Sequence, residues 1–541
     1  MKNLKKLTSL FLALLMIAST AVAITITSSA ANPTPDSTWY DANAETLYID
    51  NLEDLYAMLE VGKADGTDNG PDFEGQTIVL RADLDMAGLT WDHGGNFDFA
   101  GTFDGQNHVI KNFTYNVTAQ YGFFDYVRGD GTVKNVSFVD VNGTAAAYCG
   151  IIARATGYAG TNGGVLFENV YVSGTVSSKG ASTGGFIGQH GSYVVTFRNC
   201  VSDVDVVAGS TGRFGGFIGI GNAGDSATFE DCAYIGDISG AASHSGCFVA
   251  MTNAATGSYK RAFTLTRCVV LGNYNTTSHG AFTSFNNTTN ASYTLVDCFM
   301  TRTNGRVLNS GGITTGAISV KLGDAAALTI PKDTKIVNGQ TGIEEYYATN
   351  GGFLTDGDNV YFTADNFGQQ YPALAKAGWV VTNETVEYVS GKTVPMIMPA
   401  SVATMIGKTA LEAPNATSYL QIKNGTDGKY DVRFIGAVNA DDLAAYETVG
   451  FVVVVKLNGT AILTENVETK AVYTSIKADG VDVTAETLGA DYLNVLQIAG
   501  FKAENAYDIS VLSFAKRADG TTVYDYAGAL EVTVQNAAVA Q

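Results

Sequence analysis

A six-residue template recurs seven times between residues 110 and 300: apolar, polar, Asn or Asp, apolar, polar, apolar. Its copies start at Ile110, Val133, Phe167, Phe197, Phe229, Leu265 and Leu295, with spacings of 23, 34, 30, 32, 36 and 30 residues. The third position reads Asn112, Asn135, Asn169, Asn199, Asp231, Arg267 and Asp297, and the fourth reads Phe113, Val136, Val170, Cys200, Cys232, Cys268 and Cys298. A second template keeps step with the first. It comprises Gly122-Phe123-Phe124, Gly150-Ile151-Ile152, Gly184-Gly185-Phe186-Ile187-Gly188, Gly215-Gly216-Phe217-Ile218-Gly219, Gly246-Cys247-Phe248 and Gly280-Ala281-Phe282. A fixed period of this length marks a repeat architecture.

Within one strand, residues facing the same side alternate with a period of two. The apolar columns here are three apart, as in Phe197 and Cys200, so the chain must bend between them. Asn and Asp suit that bend because they tolerate the left-handed backbone and bond their own main chain. One coil alone cannot bury its apolar columns, whereas coils stacked about 4.8 Å apart turn each column into a continuous core. The expected fold is therefore all-β: a right-handed parallel β-helix, eight to ten coils and roughly 40–50 Å long before its caps. Doubly wound α/β is excluded, because no amphipathic helices separate the strands. Charged residues make up 16% of the chain, too few for a disordered or coiled-coil protein.

One segment before the repeats reads as a helix. In Asn51-Leu52-Glu53-Asp54-Leu55-Tyr56-Ala57-Met58-Leu59-Glu60, Asn51 or Asp50 serves as N-cap, acids occupy the first turn, and Leu52, Leu55, Met58 and Leu59 share a face. It is expected to cap the open end of the solenoid. Phe362 to Leu374 reads as the closing coil, with Pro372 preventing further pairing.

The stretch Phe99-Ala100-Gly101-Thr102-Phe103-Asp104-Gly105-Gln106-Asn107-His108-Val109-Ile110 resembles the opening coil of the GLUG-motif β-helix proteins. The Gly-Gly-Phe-Ile-Gly segments at 184 and 215 are similar to the motif that names that family, with Phe where Leu is usual. Phe73-Glu74-Gly75-Gln76-Thr77-Ile78 and Ala82-Asp83-Leu84-Asp85-Met86 match its lead-in, and Tyr371-Pro372-Ala373-Leu374 its close. The resemblance spans residues 45–376 and implies an exported bacterial surface protein with a β-helix fold. Activity does not follow from it, because function resides in sites rather than in folds.

Residues 401–541 change character. Short β-rich runs such as Tyr430–Ile435, Val449–Val455 and Ala506–Leu512 alternate with polar turns, and Asp519-Gly520 reads as a hairpin turn, a pattern that fits an antiparallel sandwich. This module resembles the C-terminal accessory module of secreted clostridial-type proteins. The chain thus divides into residues 1–23, 24–44 (an N-terminal linker), 45–376 (the β-helix), 377–400 (a linker) and 401–541 (the sandwich). Residues 1–23 carry Lys2, Lys5 and Lys6, an apolar run from Leu10 to Ile17 and the small-residue end Ala21-Val22-Ala23, the design of a secretory signal peptide. The protein is accordingly expected outside the cell, secreted or held at the surface of a Gram-positive bacterium. A net charge of −21 argues against nucleic-acid and membrane-surface partners, and no apolar stretch is long enough to span a bilayer.

Candidate site residues fall into four groups. Cys200, Cys232, Cys268 and Cys298 share one inward column and read as small core hydrophobes; their spacing matches no zinc motif, and no metal or cofactor is expected. Asp205 and Asp237 lie on successive coils, at about the separation of a retaining glycosidase pair or of calcium ligands. They lack the companion residues of pectin-cleaving β-helices, and Asp231, Arg267 and Asp297 read as a structural charge ladder. His108 belongs to the opening-coil motif and is expected to be bonded there. Tyrosines recur along the repeats, and Tyr171, Tyr193 and Tyr234 are the ones expected to stack sugar rings on an exposed face. The resulting expectation is a monomeric, non-catalytic surface or adhesion protein with an extracellular glycan or host-surface ligand. The alternative is a polysaccharide lyase or glycoside hydrolase working on a β-helix face through Asp205 and Asp237.

Overall fold

The computed structural model describes residues 31–63, 70–94, 96–157, 163–178, 182–191, 194–209, 212–221, 226–240, 242, 244–252, 261–274, 279–285, 291–301, 306–310, 318–322, 328–330, 352–356, 359–362, 367–408, 419–424, 429–438, 448–469, 472–478, 481–486, 490–516, 522–536 and 538–539. The first part is a parallel β-solenoid of about 7 turns. A 17-stranded sheet wraps around one corner, and an 11-stranded sheet closes the remaining side. The expected signal segment and the hairpin turn at Asp519-Gly520 lie outside the described residues.

The corner is built as the repeat implies. Asn135, Asn169, Asn199, Asp231, Arg267 and Asp297 all have positive φ, between 48° and 54°. Each turns the chain so that both flanking apolar columns point inward. Phe167, Phe197 and Phe229 stack with ring centroids 4.9 and 4.8 Å apart. Phe186, Phe217 and Phe248, from the second template, stack at 4.8 and 4.9 Å and meet the first column edge-on. Stacked rings within a column and T-shaped rings between columns satisfy the preferred aromatic geometries together. The paired glycines let neighbouring coils approach: a Cβ at Gly185 would lie 2.0 Å from the Gly216 carbonyl oxygen. The four-cysteine column, Cys200, Cys232, Cys268 and Cys298, is buried with every thiol free.

One copy of the template is out of register. Val133 pairs with Phe103, not with Ile110, while Ile110 pairs with Phe138 further along the same strand. The coil from Thr102 to Lys111 carries extra residues between Asp104 and His108, a bulge at which Gln106 and Asn107 adopt positive φ. This shift accounts for the short spacing of 23 between the first two copies. His108, bonded as expected, faces Asp83 at 2.9 Å.

Helix α1, Leu52–Gly62, follows the first strand, Thr46–Ile49, with Asn51 as N-cap accepting from the Asp54 amide at 3.0 Å. Leu55, Met58 and Leu59 are buried in the solenoid core, with Leu52 packed against it. The other end differs from expectation. In place of a closing β-coil there are two short helices, α2 (Phe367–Gln370) and α3 (Pro372–Lys376), because Pro372 begins a helix rather than ending a strand. Residues 377–400, expected as a linker, form an antiparallel hairpin, Trp379–Val389 with Lys392–Pro399, leading into α4 (Ala400–Met405). An outward column of the solenoid, Tyr171, Val201, Ala233 and Val269, is apolar and shares a core with Val381, Met396, Met398 and Val402 of this cover. An apolar outward column needs such burial, worth about 25 cal/mol per Å² removed from water.

The C-terminal region is antiparallel. One sheet of three strands (Tyr419–Asn424, Lys429–Val438 and Tyr492–Lys502) faces one of five, in which Thr448–Leu457 pairs with Thr460–Thr469 and Tyr507–Lys516. Val432 and Phe434 from the first meet Phe451, Val453, Ile509 and Val511 from the second in one core, which makes the pair a sandwich.

Candidate functional site

The acid pair read from the repeat is brought onto adjacent coils, where each carboxylate is engaged by a backbone amide. The Asp205 carboxylate accepts the Asp237 amide at 3.0 Å, and the Asp237 carboxylate accepts the Asn273 amide at 2.9 Å. Each acid thus caps the next rung, a side-chain-to-backbone ladder. Burial against neighbouring acids, Asp205 and Glu387 among them, raises the Asp237 pKa. Asp231 and Arg267 form a bidentate pair, both contacts at 2.7 Å, and Trp379 donates to the same Asp231 at 3.0 Å. The ladder residue therefore also pins the covering hairpin to the solenoid.

The tyrosine expectation is corrected. Tyr171 is buried beneath the hairpin, with its hydroxyl donating to Asp203 at 2.7 Å. Tyr234 is fully buried inside the solenoid and donates to the Val204 carbonyl at 3.0 Å. Neither ring offers a face to a ligand, because one outward column is covered and the other column points inward. Tyr193 lies outside the described residues.

What the structure does open is a cleft of about 660 Å³ at the N-terminal end of the solenoid, between the corner turns of three successive coils. Phe73, with φ of 59°, and Gly75 make the first turn; Gly101 makes the second, where a Cβ would strike the Phe73 carbonyl at 2.4 Å; Gly129 makes the third. These turns present Asp72, Glu74, Gln76, Thr102, Arg128 and Asp130 to the cleft. Arg128 is central: its Nη2 lies 3.0 Å from Asp72 and its Nε 3.4 Å from Asp98. Asp130 accepts the Gly164 amide at 3.1 Å, and Gln76 donates to the carbonyls of Asp41 and Ala44 at 3.1 and 2.8 Å. These bonds fix the Arg128, Gln76 and Asp130 side chains of the lining.

A second charged group continues along the same sheet. Arg154 binds Asp125 through Nε at 2.6 Å and Nη2 at 2.9 Å, with its guanidinium 4.0 Å above the Tyr126 ring. Burial pushes the Asp125 carboxyl up to about 6, against the pull of Arg154. Burial also raises Asp98, while Arg128 and Arg154 draw it down. The charges thus run Asp72, Arg128, Asp98, Arg154, Asp125, alternating in sign. Among the described residues, no group of three or more His, Cys, Asp or Glu is placed to hold a metal ion.

The sequence reading did not reach this cleft. Phe73-Glu74-Gly75-Gln76 was legible as a lead-in motif, but Asp98 and Arg128 carry no repeat signal, and the pairings Asp98↔Tyr126 and Phe99↔Val127 are what bring them together. The chain matches no family model, and no curated protein matches it. Among the described residues no helix is long and apolar enough to cross a membrane.

Proposed function

We propose that the protein is exported and serves as a non-catalytic binding protein at the bacterial surface, with an extracellular glycan as the ligand of its solenoid. The observation that carries this reading is the cleft at Arg128: open, polar, and lined by charged side chains from the turns of three successive coils. Catalysis of glycan cleavage needs an acid and a base poised for proton transfer. In this protein Asp205 and Asp237 accept rung amides, and both oxygens of Asp125 are engaged by Arg154. Export is supported by the Lys-led, apolar, Ala-Val-Ala design of residues 1–23 and by the resemblance to GLUG-motif surface proteins. The accessory role of the C-terminal sandwich rests on its resemblance to modules of secreted clostridial-type proteins.

The test is a glycan-array screen of the mature chain run beside a reducing-sugar assay on the same glycans. Binding without product release is the expected outcome. Product release that Asp205→Asn with Asp237→Asn abolishes would replace this reading by the lyase or hydrolase alternative.

A further inference from the structure

We infer that the Arg128 cleft takes a neutral, hydroxyl-rich oligosaccharide and rejects uronate and sulfated chains. This rests on the binding reading above and adds the ligand class. Asp72, Glu74 and Asp130 outnumber the one guanidinium of the lining three to one, and Asp98 stands directly behind it. A carboxylate accepts hydrogen bonds only, and an arginine only donates. Sugar hydroxyls do both, so a neutral glycan can donate to Glu74 and Asp130 at the rim and accept from Arg128 at the centre. An anionic glycan would place like charge well inside the screening length of about 8 Å at physiological salt. Arg128 cannot offset this, because its guanidinium already faces Asp72 and Asp98. The chain's net charge of −21 acts in the same direction at longer range.

The turn behind the cleft wall is itself anchored on the core. Trp39 and Tyr40, both half-buried, stack at 6.4 Å with an interplanar angle of 29°, and the Tyr40 ring lies 5.9 Å from Phe73, which flanks Asp72 and Glu74. The Gln76 side chain ties the following turn, Asp41 to Ala44, to the cleft wall.

Calorimetric titration of the full mature chain with neutral, uronate and sulfated oligosaccharides tests this. Glu74 and Asp130 are exposed, so Glu74→Gln with Asp130→Asn should fold as the parent does, checked by its melting curve. The expected result is binding of a neutral oligosaccharide, weakened at least tenfold in the double variant, with uronate and sulfated chains bound by neither protein at low salt. Arg128→Gln should abolish binding as well; should that variant fail to fold, the double variant alone decides. A preference for acidic chains, or neutral binding that the double variant leaves intact, overturns the inference while leaving a glycan-binding role elsewhere on the molecule. An absence of binding to every glycan overturns both.

Discussion

Two outward surfaces of one solenoid meet opposite fates. On the first, the column Tyr171, Val201, Ala233 and Val269 is apolar and lies beneath the hairpin and α4. On the second, the N-terminal corner presents Asp72, Glu74, Arg128 and Asp130 to an open cleft. The inner core under both is the same kind of stacked ladder. The difference shows that inward positions make the rod, whereas outward positions decide what the rod carries: the apolar column recruits a further segment of the chain, and the charged N-terminal corner is left as an open cleft.

Removing the shared foundation should have the largest effect. Phe217 stacks on Phe186 and Phe248 and meets Phe197 and Phe229 edge-on. Phe217→Ala should cost about 3–5 kcal/mol, and denaturant unfolding followed by tryptophan fluorescence should show both surfaces lost at lower denaturant. Loss of only one surface would mean that the solenoid does not fold as a unit.

Acid should strike the open end. His93 is buried, stacks on Tyr121 at 4.5 Å and bonds the Gly122 carbonyl at 3.0 Å; burial holds its pKa down to about 4. A base depressed in the folded state contributes stability above its unfolded pKa of about 6.5 and loses it as pH falls toward 4, roughly 3 kcal/mol in all. Asp125, raised to about 6, has the opposite sign: its contribution is present below about 4 and is lost as pH rises through 6. His93→Gln should therefore lessen acid destabilisation between pH 6.5 and 4 in melting experiments. An unchanged acid limb would show that burial does not lower the His93 pKa in the folded protein.

Cys232→Ser would bury a hydroxyl in the dry column and should destabilise by about 1–3 kcal/mol. The parent's four column thiols should react with a thiol reagent only after unfolding, since burial raises the pKa of Cys232, Cys268 and Cys298. Rapid labelling of the native protein would argue against a closed core.

A smaller effect separates the two surfaces directly. Trp379→Phe removes the donor to Asp231 but leaves the bidentate Arg267 pair, so a loss of about 1 kcal/mol is expected. Limited proteolysis should then cut the hairpin sooner while glycan binding at the cleft persists. Coupled loss of binding would show that the surfaces communicate. Exposed Glu74→Gln should shift stability by no more than about 0.5 kcal/mol, whatever it does to binding.

Much of this was legible in the residues themselves. The paired repeats determined the solenoid, the inward cysteine column and the left-handed corner at Asn135, Asn169, Asn199 and their successors, because period and positive-φ tolerance are local properties of the chain. The Asn51 cap and the apolar face of α1 were local in the same sense. Tertiary structure alone decided which outward residues are seen by solvent. Tyr171 looked exposed because alternation within a strand reports only inward against outward, and the segment that covers it begins more than 200 residues later, at Trp379. Asp72, Asp98 and Arg128 looked unremarkable because each sits on a different coil. Their meeting depends on stacking register, and the bulge at Gly105 to Asn107 shows that this register need not follow the apparent spacing of the repeat.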